Sequence, residues 1–237
     1  MTSGTTSANP SAAAACWSCG APVSGGHFCE SCGRIQPPAR GADYFALLGL
    51  PRKLLLDAAD LERRFHQLSW KLHPDNFAGA GEYERELSLE RSSQLNDAYR
   101  ALREPLGRVE YLLAQAGLRK EGQHKQQAPP ELLEEVFELN ESLDELRGAR
   151  GSGGDPQEMA SLKQRLQSAR ENFQEKLGEV DRELERLSGE WDRAVDAAPD
   201  ADNPAQRKRM ERMNEVLNRR SYIRNLVESV QRELTEA

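Results

Sequence analysis

From Met159 to Ala194, apolar residues recur every three or four positions: Met159, Leu162, Leu166, Ala169, Phe173, Leu177, Val180, Leu184, Leu187, Trp191 and Ala194. That spacing holds one stripe of side chains on one face of an α-helix, and the run is long enough for a single long helix. Two shorter runs flank it. After Pro130, Leu132, Val136, Leu139, Leu143 and Leu146 form a seam. In a third run, Met210, Met213, Leu217, Ile223, Leu226, Val230 and Leu234 lie on or near one side. Gly148 to Pro156 and Ala197 to Pro204 are breaks between them. Residues 119–237 therefore read as an antiparallel three-helix bundle with coiled-coil-like packing. Leu133 and Phe137 fall off the seam with Glu141 beside them, as either a second core contact or an exposed docking patch.

A second organising stretch runs from Leu61 to Asp75. Leu61, Phe65, Leu68 and Leu72 share one helix face, while Arg63, Arg64, Gln67 and Lys71 gather on another. Asp57 is placed to cap this helix at its start. Pro74 stops it and pushes His73 out of the helical region. An exposed His73-Pro74-Asp75 tripeptide at the tip of a basic helix is the result. Taken alone, such a tripeptide is a polar turn between two helices. Its surroundings say more: Asp43 to Pro51 reads as a short apolar helix ended by Gly49 and Pro51, and Leu95, Ala98, Tyr99 and Leu102 form a further stripe in a helix from about Glu82 to Arg103. Pro105 restarts the chain into another helix that ends near Gly117.

Composition bounds the rest. A chain of 237 residues, 38% hydrophobic and 30% charged, favours two or three small helical cores over a single large one. A net charge of −7 argues against a nucleic-acid partner, which would call for a basic surface. There is no apolar run of about 18 residues to span a membrane. Met1 to Ala15 has neither a charged start with an apolar core nor any Arg, so a cytoplasmic protein with a disordered tail over residues 1–15 is expected. No Gly-rich phosphate loop, nucleophile with a base, or open metal site points to an enzyme.

All four cysteines lie in Cys16-Trp17-Ser18-Cys19-Gly20 and Cys29-Glu30-Ser31-Cys32-Gly33. Two Cys-x-x-Cys pairs at this separation have the spacing of two knuckles enclosing one tetrahedral Zn²⁺, whose four thiolates leave no open position. Gly20 and Gly33 can take positive φ and turn the backbone at each pair. A redox-active or disulfide pair and a rubredoxin-like iron are the alternatives. His27, beside Cys29, is expected on the surface. Pro37, Pro38 and Gly41 make Ile35 to Gly41 a stiff linker from this module, residues 16–38, into residues 42–118.

The short helix, the basic helix, the His-Pro-Asp loop and the antiparallel helix with Asn96-Asp97-Ala98-Tyr99 occur in order, and together they resemble a J-domain. Adding Pro105-Leu106-Gly107-Arg108-Val109-Glu110-Tyr111-Leu112-Leu113, Glu138-Leu139-Asn140-Glu141-Ser142-Leu143-Asp144-Glu145 and a helical bundle, the chain resembles the HscB family of iron–sulfur cluster co-chaperones over roughly residues 43–236. Cys16-Trp17-Ser18-Cys19 is similar to a pair in the animal form. The resemblance implies that His73, Pro74 and Asp75, supported by Arg63, Arg64 and Lys71, engage a DnaK/HscA-class chaperone and stimulate its ATPase. It also implies that Leu133, Phe137, Glu138, Glu141 and Tyr222 hold an IscU-type scaffold. The expected fold is all-α: an N-terminal zinc knuckle, a helical J-domain and a C-terminal three-helix bundle. A J-domain adaptor for a different client and a zinc-knuckle thiol or metal-delivery protein are the rival readings.

Overall fold

In the computed structural model, residues 15–38, 43–119, 128–153, 155–197 and 204–236 are described. The tail over residues 1–14 and most of the polar stretch before Pro129 lie outside them. Among the described residues seven α-helices follow in order: α1 (Tyr44–Leu47), α2 (Ala58–Leu72), α3 (Glu82–Leu102), α4 (Pro105–Gln115), α5 (Leu133–Ser152), α6 (Pro156–Ala197) and α7 (Pro204–Glu236). Short 3-10 turns stand at Pro74–Phe77 and Pro130–Leu132. Among the described residues there are no strands, only isolated bridges at Ala15–Pro22 and Phe28–Ile35. No helix there is long and apolar enough to cross a membrane. The chain divides into two compact units, one reaching to Arg108 and one starting at Val109.

Local chemistry sets the helix ends. The Asp43 carboxylate accepts from the Ala46 N–H at 2.7 Å, and Asp57 accepts from the Ala59 N–H at 2.9 Å, each meeting an otherwise orphaned donor. Pro105, Pro156 and Pro204 each occupy the first helical position, where a missing N–H costs nothing. In the first unit, α2 and α3 pack with Leu61, Leu72, Leu95, Ala98 and Leu102 buried. Phe65 is half-buried and stacks on Tyr99, ring centroids 4.1 Å apart at 15°. Gly107 lets α4 cross the end of α3: a Cβ there would stand 2.5 Å from the Ala101 carbonyl oxygen, backbone that cannot yield. Arg108, buried next to it, donates to Leu102 O at 2.5 Å and Arg103 O at 3.2 Å, closing carbonyls at the C-terminal end of α3, and to Leu54 O at 2.9 Å in the segment before α2.

In the second unit α5, α6 and α7 form the three-helix bundle. Ion pairs give its directions: Arg165–Glu145 and Lys176–Glu135 run antiparallel between α6 and α5, and Arg212–Glu183 and Arg220–Asp181 run antiparallel between α7 and α6. Val136, Leu139, Leu143 and Leu146 of α5, with Leu132 just before it, are buried as their spacing requires. Two details depart from the sequence reading. The break expected from Gly148 is absent, because α5 continues to Ser152 and stops only at Gly153, whose φ of +69° is left-handed. Arg150 secures that last turn through Glu233 of α7, so a tertiary contact overrides the low helix propensity of Gly148 and Gly151. Glu233 is itself buried and Leu234 only half-buried, which reverses their expected places.

Candidate functional site

The cysteines come together as two copies of one turn. Gly20 N–H donates to Cys16 O at 3.0 Å and Gly33 N–H to Cys29 O at 2.8 Å, with φ at +72° for both glycines. The four Sγ atoms lie within 4.8 Å of one another. The Cys16–Cys32 and Cys19–Cys29 sulfurs are each 3.7 Å apart, near the edge of about 3.8 Å of a tetrahedron with metal–sulfur bonds of about 2.3 Å. That separation is far longer than a disulfide bond. Burial opposes ionisation of Cys16, but the N–H groups of Cys19 and Ser18 outweigh it and lower its pKa to about 6. At Cys32 the Arg34 N–H favours the thiolate, yet burial and the three neighbouring sulfurs push it up to about 12. Sulfurs this crowded ionise together only around a cation, so the donor set fits a thiophilic metal. The Gln36 amide, buried, donates to Cys16 Sγ at 3.3 Å and adds a further constraint on that ligand.

Two expectations about this module are corrected. Ile35, Gln36 and Pro37 are no spacer: Ile35 and Gln36 are buried, and carbonyls of the segment accept from Arg91 of α3. His27 is half-buried instead of superficial, with Nε2 at 2.8 Å from the Leu47 carbonyl oxygen. Burial holds its pKa below the usual histidine range, opposed by the Leu47 carbonyl and reinforced by the charges of Arg91 and Lys71. Since a carbonyl oxygen only accepts, Nε2 is the donor to Leu47 O.

At the tip of α2, His73 takes φ −59° and ψ +131°, the extended conformation a following proline enforces. Its Nδ1 accepts from the Asp75 N–H at 3.3 Å, leaving Nε2 as the outward nitrogen. His73 and Asp75 are exposed and Pro74 half-buried. Asn76 locks the turn by donating to Trp70 O at 2.6 Å. The basic residues differ in their engagement. Lys71 is exposed, and Arg63 pairs with Asp60 on the surface. Arg64 is half-buried and also serves the fold, reaching Asp60 at 2.8 Å and Gly49 O at 2.6 Å. Trp70, one turn before the tripeptide, is 77% exposed and was not singled out by periodicity.

On the second unit, Leu133 and Phe137 stand on the outer face of α5, 55% and 70% exposed. Glu138 and Glu141 are exposed on the same helix. Tyr222 is half-buried, and burial pushes its phenol up. The pairs Glu131–Arg219, from the 3-10 turn that leads into α5, and Arg147–Glu233 run parallel between that segment and α7, with offsets of 219 − 131 = 88 and 233 − 147 = 86. Tyr222 is thus level with the first turn of α5, where Leu133 sits. Carboxylates that the apolar spacing does not single out, such as Glu233 and Glu183, are buried or half-buried and pair with arginines of the bundle.

Comparison with known proteins places these features in a recognisable group. Residues 128–231 match the family described as the HSCB C-terminal oligomerisation domain. The chain is 35% identical over 154 residues to the co-chaperone protein HscB homolog of Vibrio vulnificus strain YJ016, covering 65% of this chain and 85% of that one. To the human iron–sulfur cluster co-chaperone protein HscB it is 36% identical over 134 residues, 55% of this chain and 57% of that protein. The crystal structure of human co-chaperone protein HscB is similar with a TM-score of 0.59 and 26% identity, covering 92% of this chain and 97% of that one.

Proposed function

The chain belongs to the HscB co-chaperone family, and from that premise we propose that it is an adaptor in iron–sulfur cluster assembly. Its first unit engages a DnaK/HscA-class ATPase chaperone through His73, Pro74 and Asp75, with Lys71 and Arg63 giving electrostatic support. Its bundle holds an IscU-type scaffold through Leu133, Phe137, Glu138 and Glu141, with Tyr222 beside them. The observation that carries this reading is the pair of exposed surfaces on separate compact units: a basic helix ending in a hydrogen-bonded His-Pro-Asp turn, and an apolar pair bordered by carboxylates. Neither surface has the constellation of a catalytic site. Joining two partners raises the concentration of each near the other, and the hydrolysis belongs to the chaperone. The metal assigned to Cys16, Cys19, Cys29 and Cys32 is Zn²⁺, which supplies folding energy to a module too small to hold itself.

The test is ATPase stimulation by the His73→Gln variant. Stimulation of a DnaK-class chaperone is lost while helical circular dichroism stays unchanged, since His73 is exposed and its ring packs in no core. A variant that stimulates as well as the unmodified protein overturns the assignment.

A further inference from the structure

The most unusual buried group of the first unit is a charged one. Arg91 of α3 is 2% exposed. Its guanidinium donates to Gln36 O at 2.9 Å, Pro37 O at 3.0 Å and Gly26 O at 3.3 Å, all carbonyls of the four-cysteine module. Among the described residues no carboxylate forms an ion pair with it. A buried guanidinium met by carbonyl oxygens is tolerable only while those oxygens are held in place. They are held by the cysteine turns: the same Gln36 that accepts from Arg91 donates its side-chain amide to Cys16 Sγ.

Three further ties join the module to the helices. His27 meets Leu47 O at the end of α1, Arg34 pairs with the buried Glu84 of α3, and Trp17 sets its edge against Tyr83 with centroids 4.9 Å apart. The face of α3 so engaged also holds the base of the His-Pro-Asp turn. Ser88, one turn before Arg91 and one after Glu84, donates its hydroxyl to Leu72 O at 2.7 Å, and Ser92 donates to the same oxygen at 2.9 Å. Leu72 directly precedes His73.

We propose that the four-cysteine module is a structural wall of the chaperone-facing unit and that metal occupancy governs the order of the His73–Phe77 turn. The connection runs through Gln36, Arg91 and the Ser88/Ser92 clamp on Leu72, with Arg91 as the positioning residue. Its consequence for chaperone stimulation rests on the function proposed above. The linkage itself does not, because it joins two parts of one folded unit. A coupling of this kind is reciprocal: if the metal orders the α3 face, that face strengthens retention of the metal.

Both directions can be measured without any chaperone. First, the Zn²⁺-loaded protein is stripped with a chelator under reducing conditions and followed by hydrogen exchange. Exchange rises about tenfold or more in peptides covering residues 70–78 and 86–95, while those from α6 and α7 hold their rates. An increase confined to residues 16–37 overturns the proposal. Second, release of Zn²⁺ to a chromophoric chelator is compared for the unmodified protein, Arg91→Met and Arg91→Lys. Arg91→Met releases the ion about tenfold faster or more although it removes no ligand, and Arg91→Lys returns part of the loss. Unchanged release from a folded Arg91→Met protein overturns the proposal. If Arg91→Met does not fold, the Ser88→Ala/Ser92→Ala protein replaces it, since neither hydroxyl touches the cysteine module, with the same faster release expected and the same unchanged release counting against it. Loss of ATPase stimulation plays no part in these readouts, so a wrong chaperone assignment and a wrong linkage fail separately.

Discussion

The Ser88 hydroxyl donates to the carbonyl oxygen of Leu72 at 2.7 Å, so the last carbonyl of α2 is closed by a side chain of α3. Ser92 adds a second donor to the same oxygen, and the pair replaces the capping residue that Pro74 excludes. Removing both hydroxyls leaves a largely buried acceptor unmet. The Ser88→Ala/Ser92→Ala protein should lose about 1–3 kcal/mol of stability, seen as a lower urea midpoint, and should exchange faster at His73–Phe77. An unchanged midpoint would mean that water replaces the two hydroxyls without loss.

Leu133 and Phe137 stand out of the bundle core, so truncating them should separate binding from stability. Anchors of this kind typically cost about 2 kcal/mol or more when cut to Ala. The Leu133→Ala/Phe137→Ala protein is expected to bind an IscU-type scaffold more than about tenfold more weakly with little change in melting temperature. Affinity by calorimetry and a thermal melt on the same sample decide it. A protein that melts early and still binds would return these residues to the core.

Acid should weaken the bundle at an identifiable place. The Arg147 guanidinium holds the Glu233 carboxyl below the usual carboxylate range against the effect of burial, with Arg150 adding to the pull. Burial pushes Glu183 up, but Arg212 and Arg219 outweigh it and leave it lowered as well. For a carboxyl whose folded pKa lies below its unfolded one, the stabilisation is complete above the unfolded value of about 4.3 and is lost as pH falls through the folded value. Glu233→Gln should therefore lower the melting temperature at pH 7, and the gap to the unmodified protein should close below about pH 4. A gap independent of pH would assign the effect to packing.

Much of this architecture was legible because it depends on periodicity and stops. Asp57 caps α2, Pro74 ends it, and the Leu132 to Leu146 seam is buried at every predicted position. The cysteine spacing sufficed to bring four sulfurs together. What escaped was polar. Arg91, Ser88 and Glu84 look like a solvated face of α3, and only their position on the same stripe as Leu87, Leu95, Ala98 and Leu102 signals burial. Nothing local tells a reader that the four-cysteine module, fifty residues or more upstream, supplies the partners of Arg91 and Glu84. The continuation of α5 past Gly148 was hidden for the same reason, since Arg150 finds Glu233 on another helix.

α5 has one further consequence, for behaviour in solution. One of its sides is fully used in the bundle, while Phe137 and Leu133 on the other remain adhesive to any apolar surface. Glu134, Glu138, Glu141 and Glu145 stand exposed on the same helix. Two copies approaching face to face through this side would bring like charges together, which opposes that one arrangement. Under the function proposed above, the same charges favour a partner whose apolar notch is ringed by lysine or arginine over a neutral one. Raising the salt concentration screens both effects at once.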